Sequence, residues 1–583
     1  MEKGGYQIRS LYQGGYSSLD PNKGEGYPGL HTPISQLAIT TNPSNAILTK
    51  EISDKINLGL GNIEVEAVIP KVFDSMPQQY IKEAGRQAKL AGVELTFHGP
   101  VVEPSGLTKQ GYSEANRIAV EKQITNALMR LHEANPKNPI INFHTSDFLP
   151  SADTILKDGK RVEEGTFIIN SETGELGMVK AKERFFPGEE KEIDVESEID
   201  HRNQDSWSHN IRNISYYADM GMGSLRDSRY LAGISKLEEK EGIPITKEEK
   251  SGQSNFSRGE ALLDDSYREM KELFNIAWRH GNPDEKEKLN KLKTEIEKNV
   301  ERINQNPDNI DLRKEIIDKG IGVLKDINPK IYKKADEFMI EKTATTFGNA
   351  AFEGYKKFKE NAPIVVIENP PATQQFSTGE DVARVVLESR NKFIKRAKDE
   401  GFSESEAREK AEKFIGATID VGHLNMLRAK GYTEKEVIAE AEKFKPLLKH
   451  VHLSDNFGFE HTELPMGMGN VPLKKIMEKL GKEGYEAKKI IEVGDWWTQH
   501  FAKGGGDPII PSLEGMGSPM YSTGAGPSWN QTIGLQQGYF GGYGGMLPQR
   551  NYETFGAGFS QLPAELGGKS AGAGGRMSGT PME

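Results

Sequence analysis

The stretch APIVVIENP, residues 362–370, decides the fold. Apolar β-branched residues run from Ile364 to Ile367 and stop at Glu368, and Asn-Pro then turns the chain. Short apolar runs alternating with amphipathic stretches are the signature of β/α units on a parallel sheet. Reading forward, a helix from Glu380 to about Lys398 and another near Ser403 to Phe414 precede the strand GATIDVGH, with Asp420 and His423. A helix from Thr433 to about Phe444 leads to KHVHLS, and VPLKKIMEKLG leads to KKIIEV, which ends around Glu492. Reading backward, PIINFH ends at His144 and follows a long helix from Ser113 with apolar residues at 118, 120, 124, 127, 128 and 131. Earlier still stand VELTFH, ending at His98, and the helix PQQYIKEAGRQAKLAG, closed by the C-cap residue Gly92. NIEVEAVI, a helix near Asn45 to Ile56 and QLAITT complete the count. Eight such units fit an α/β fold of the TIM (β/α)8 barrel type, whose core takes about 250 residues.

The barrel is expected in two halves, 36–150 and 361–502, separated by an insertion after strand four, 151–360. A flexible arm, 1–35, and a disordered Gly-rich tail, 503–583, flank it. Within the insertion GTFIIN and LGMVKA read as a β-hairpin about the turn Ser171 to Gly174. From about 205 to 345 the text is helical and charged. DEKEKLNKLKTEIEKNVERI has the close Glu/Lys spacing of a solvated helical hairpin, with signs too balanced for a nucleic-acid surface.

Lys plus Arg number 75 against 86 Asp plus Glu, a net charge of −11, which excludes a basic nucleic-acid coat but leaves room for a local positive site. With no cysteine, a metal has only imidazole and carboxylate to hold it, which favours zinc, manganese, iron or magnesium. No apolar run reaches the roughly 18 residues of a membrane span, and MEKGGYQIRS lacks a signal-like apolar core, so a cytoplasmic location is expected.

In a TIM barrel the chemistry sits at the C-terminal ends of the strands. His98, His144, Glu368, Asp420, His423, His452, His461, Glu463 and Glu492 all fall there. A lone histidine at a strand end is usually structural, but nine ligand-type residues at one end point to bound metal. Asp455 is expected to support the ligands. His31, His132 and His500 follow no such rule and are read as structural, and His450 is expected to face the other side of the strand from His452.

The pieces FHGP (97–100), NFH (142–144), IENP (367–370), DVGH (420–423), HLSD (452–455), GMGN (467–470) and IIEVG (490–494), in that order, resemble the xylose-isomerase-like superfamily. Among its members they are most similar to the endonuclease IV (AP endonuclease family 2) proteins. The resemblance covers both barrel halves but neither the insertion nor the ends. It implies three zinc ions. His98, His144 and Glu368 would hold the first, with Glu368 bridging to the second; Asp420, His452 and Glu492 would complete the second. His423, His461 and Glu463 would hold the third, although this loop reads His-x-Glu where the family has Asp-x-His. Val101 and Val102 depart too, standing in the region from which the family inserts aromatic and apolar side chains into DNA.

The expected function is a metal-dependent phosphodiester hydrolase that cleaves DNA at abasic or damaged sites by metal-activated hydroxide, with Glu368 catalytic. Zinc is the first choice of cation, manganese or magnesium the alternatives. Three divalent cations bring plus six and the carboxylates Glu368, Asp420, Glu463 and Glu492 minus four, a local plus two that suits a phosphate ester. One cation among Glu368, Asp420, His452 and Glu492 leaves minus one, which suits a neutral sugar and the alternative of an isomerase or epimerase. A non-catalytic binding or scaffold barrel is the third reading.

Overall fold

The computed structural model describes residues 37–57, 60–147, 153–157, 160–183, 185, 192–305, 309–493 and 512. The arm and, apart from Ser512, the Gly-rich tail lie outside the described residues, as do His31 and His500.

Eight strands close into a parallel barrel in chain order: β1 Leu37–Thr40, β2 Asn62–Glu66, β3 Glu94–His98, β4 Ile140–His144, β5 Ile364–Glu368, β6 Ile415–Asp420, β7 Leu448–Leu453 and β8 Lys488–Ile491. β8 completes the circle by pairing with β1, Ile491 opposite Ile39. The architecture is a TIM (β/α)8 barrel. β5 shows why the short apolar runs adopt it: Val365, Val366, Ile367 and Glu368 are all buried, as a strand covered on both faces requires.

Local signals set the helix ends. Gln78–Ala91 stops at Gly92, whose φ of 71° is the left-handed conformation glycine adopts without strain. Ser113 caps Glu114–His132, and of the expected apolar positions 118, 120, 124, 127, 128 and 131 all but Ile118 are buried. Thr378 caps Gly379–Asp399, and Thr433 forms a capping box with Glu436 ahead of Glu434–Glu442. Among the described residues no helix is long and apolar enough to cross a membrane.

The chain divides into two compact units, Met1–Val162 with Met339–Glu583, and Glu163–Phe338. Residues 339–360, expected in the insertion, therefore count with the barrel. They form most of the helix Ala335–Phe358, where Phe347 packs on Phe143 of β4 and the Thr346 hydroxyl donates to the Pro104 carbonyl at 2.8 Å.

The second unit carries the expected hairpin, Lys160–Asn170 antiparallel to Leu176–Lys180, with Tyr332–Lys334 on its other edge. Its helical part is more than a hairpin. Four helices, Val195–Glu241, Lys247–His280, Pro283–Gln305 and Ile310–Leu324, enclose a core that includes Trp207, Met270, Leu289 and Ile316. The charge-rich text hid this because a narrow apolar seam is enough to seat a long helix.

Candidate metal centre

Strand register gathers the ligand-type residues. Glu368 stands opposite His144, and Asp420 opposite His452, at the C-terminal ends of β5, β4, β6 and β7. His98 ends β3, and Glu492 follows β8 with its N–H donating to the Leu453 carbonyl at 3.0 Å. Asp420 is also the N-cap of the short helix Val421–Asn425, accepting from the His423 N–H at 2.7 Å, so strand and helix start fix two candidates together.

The nine candidates form three groups, in each of which one donor atom per residue lies within 4.8 Å of the others. The first is His98, His144 and Glu368; the second is Glu368, Asp420, His452 and Glu492; the third is His423, His461 and Glu463. Glu368 joins the first two. Its Oε2 lies 3.3 Å from His98 Nε2 and 3.7 Å from His144 Nε2, while its Oε1 lies 3.2 Å from His452 Nδ1. In the third group His423 Nε2 faces His461 Nε2 at 2.7 Å, and His461 Nε2 lies 2.7 Å from Glu463 Oε1.

Backbone carbonyls orient two of the imidazoles. His98 Nδ1 meets the Gly99 carbonyl at 3.0 Å and His423 Nδ1 meets the Asn369 carbonyl at 2.9 Å, which leaves each Nε2 for the centre. Asn142 donates to Glu368 Oε2, whereas Glu368 Oε1, Asp420 Oδ2 and Glu492 Oε2 are buried with no hydrogen-bond donor. Buried carboxylate oxygens without donors need a cation or a proton.

Protonation tells the same story. Burial alone would push the imidazoles of His98 and His423 down, but neighbouring carboxylates, Glu368 for His98 and Asp420 for His423, lift both to about 10. Burial pushes Asp420 up to about 7, with Glu492 and Glu368 adding to the rise and His423 opposing it. His144 is held down at about 3 by its burial. Protons thus gather where carboxylates crowd, at positions a divalent cation would occupy. Imidazole nitrogen and carboxylate oxygen without thiolate form a donor set that fits zinc and harder divalent ions.

The loop after β7 is tightly built. Asp455 does not join a ligand group; its carboxylate accepts from the N–H groups of Asn456, Gly467 and Val471 at 2.9, 2.9 and 3.0 Å, and its backbone pairs with Leu464. Glu463 adopts a φ of 41°, the left-handed region that non-glycine residues seldom enter, and such strain concentrates at functional positions. His461 and Glu463 bring one imidazole and one carboxylate to His423.

The structure corrects the reading of His450. Residues i and i+2 of a strand point to the same face, so His450 lies inside the barrel with His452, ring centroids 5.0 Å apart. Two carboxylates of NIEVEA were overlooked. Glu64, fully buried, lies 2.9 Å from His452 Nε2 and 3.2 Å from His450 Nε2. Glu66 stands opposite His98, and burial, then repulsion from Glu492 and Glu64, raises its carboxyl well above the usual range. Their signal was legible: alternate glutamates in a strand flanked by apolar residues point into a barrel. They also change the charge count, since an ionised Glu64 brings the fully loaded centre to plus one. His132 is structural, stacked on Phe358 with its Nε2 3.0 Å from the Asn361 carbonyl.

Residues 364–504 match a family described as the xylose isomerase-like TIM barrel. The match falls on the second half of the TIM barrel, from β5 onward. An uncharacterized protein of Methanocaldococcus jannaschii is 31% identical over 80 residues, 14% of this chain and 26% of that protein, so the chain spans about a quarter of that relative's length. Among solved structures the chain is similar to a D-psicose 3-epimerase from Clostridium cellulolyticum H10, at 9% identity and a TM-score of 0.37, over 82% of this chain and 96% of that one. It is also similar to a 3-keto-D-glucoside 4-epimerase from E. coli, at 11% identity and a TM-score of 0.35, over 83% and 97%.

Proposed function

We propose that this barrel is a metal-dependent phosphodiester hydrolase of the endonuclease IV kind, acting on DNA at abasic or damaged sites. Zinc is its first cation, up to three per chain, with manganese or magnesium as alternatives. The observation that carries this reading is the division of Glu368: one carboxylate oxygen faces His98 and His144, the other faces His452. Such a carboxylate is suited to bridge two cations, and the His423, His461 and Glu463 group offers a place for a third. Bound divalent cations would supply Lewis acidity and lower the pKa of a coordinated water. Asp420 and Glu492 hold the remaining charge, and Asn142 keeps Glu368 in place. A fully loaded centre of net positive charge attracts a phosphate ester. Phe457, Phe459 and Met468, exposed in the same loop as His461 and Glu463, offer faces on which an unstacked base can rest.

A second reading, a sugar isomerase or epimerase, is favoured by a different observation. The group Glu368, Asp420, His452 and Glu492 is complete without the others and mostly enclosed, while the His461 side chain is 41% exposed. One experiment separates the readings. Elemental analysis of the dialysed protein is expected to give up to three divalent metals per chain, and a Glu368→Gln variant to lose at least about 100-fold in cleavage of an abasic duplex. One metal, no cleavage and turnover of a free ketose would replace the hydrolase by the isomerase. No retained metal would leave the scaffold reading.

A further inference from the structure

We infer that Glu64 positions His452, fixing it as a ligand through Nδ1 and not through Nε2. This rests on the reading that the centre binds cations. Glu64 lies mid-strand in β2, opposite Thr96 of β3 and one inward-facing position below Glu66. Its Oε1 is 2.9 Å from His452 Nε2, and its Oε2 is 3.2 Å from His450 Nε2 and accepts from the Thr96 hydroxyl at 2.8 Å. Glu64, His450 and His452 are all fully buried. A dry imidazole N–H needs a protein acceptor, and Glu64 Oε1 is the carboxylate oxygen that faces Nε2; like Glu368 Oε1 it has no hydrogen-bond donor in place, so the pair is an ion-pair contact. On the other side His452 Nδ1 lies 2.7 Å from Glu492 Oε2 and 3.2 Å from Glu368 Oε1, inside the second ligand group. The ring is thus placed between a carboxylate that faces Nε2 and the carboxylates of the second ligand group that face Nδ1, with which Nδ1 would share a cation. A carboxylate behind a ligating imidazole sets the tautomer and raises its basicity. The carboxylate also meets His450 through its other oxygen, so one buried anion orders both inward histidines of β7. A separate cation among Glu64, His450 and His452 would need the Nε2 lone pair, and so predicts the opposite tautomer.

Nitrogen-15 NMR of the full chain, labelled at histidine and loaded with cadmium-113, tests this. The expected spectrum shows metal coupling at His452 Nδ1 and a proton on Nε2. Coupling at Nε2 would overturn the assignment. Glu64→Gln keeps the shape but not the charge, and is expected to weaken Cd2+ binding at one site by about 10- to 100-fold in a chelator competition, with an unchanged circular dichroism spectrum. Wild-type affinity in that variant would also overturn it; if the variant does not fold, the wild-type resonances alone decide. A wild-type chain that takes up Cd2+ but, refilled with zinc, cleaves no phosphodiester would remove the proposed hydrolase and leave Glu64 in its role. A chain that takes up no metal would remove both.

Discussion

Asp455 shows how much one side chain organises at this centre. Three backbone N–H groups from both ends of the loop after β7 converge on its carboxylate. Burial nevertheless raises its pKa from 3.8 to about 6, because those hydrogen bonds offset only part of the desolvation. The sign follows from proton binding. The native state holds the proton more tightly than the unfolded chain, so this contribution to stability is full below pH 3.8, falls between about 3.8 and 6, and is gone above. Its size is about 3 kcal/mol, from 1.36 kcal/mol per pKa unit. In urea titrations from pH 4 to 7 the wild type is expected to lose this contribution as pH rises, relative to Asp455→Asn, which lacks the proton. Parallel curves for the two proteins would refute the assignment. Asp455→Ala removes the acceptor altogether and is expected to cost about 3 kcal/mol or more of stability at pH 7, measured by the same unfolding, because several buried donors lose their partner.

At the scale of the element, the β7 loop is held by close approaches. A Cβ on Gly469 would lie 2.3 Å from both the Asn456 carbonyl oxygen and Asp455 Oδ1, one of them backbone that cannot swing away. Gly469→Ala is expected to destabilise by about 1–3 kcal/mol and to displace the segment that carries His461 and Glu463. Metal analysis should then show the third cation lost while the other two remain, since groups one and two lie on strand ends. Equal loss of all three would mean that the loop supports the whole centre. Helix ends and strands were legible here because they depend on local chemistry. Ser113, Thr378 and Thr433 are caps by their own hydroxyls, and Gly92 by its missing Cβ. The four-helix core around Trp207 was not, since its seam residues stand far apart in sequence among charges.

For the whole molecule, the ligand groups all belong to one of the two compact units. The other has a separate apolar core. Calorimetry is expected to resolve two transitions, of which only one moves to lower temperature when chelator removes metal. The physical cause is the crowding of Glu368, Asp420 and Glu492 with no cation between them. A common shift of both transitions would show that the units unfold together.

The sequence by itself determined the barrel, because a parallel strand buried on both faces must be a short apolar run and each run announces its own end. It also placed six of the nine ligand-type residues at or beside those ends, with His423, His461 and Glu463 on the segments that follow, since chain order and strand ends are local facts. Tertiary structure decided which of them meet. That Glu368 offers one oxygen to His98 and His144 and the other to His452 depends on the register of neighbouring strands. The alternation of Glu64 and Glu66 marks them as sharing one face of their strand, but which imidazoles and carboxylates they meet is decided only when the barrel closes around them. Once closed, water is excluded, and a carboxylate that would be unremarkable on a surface must find imidazoles, protons or a cation.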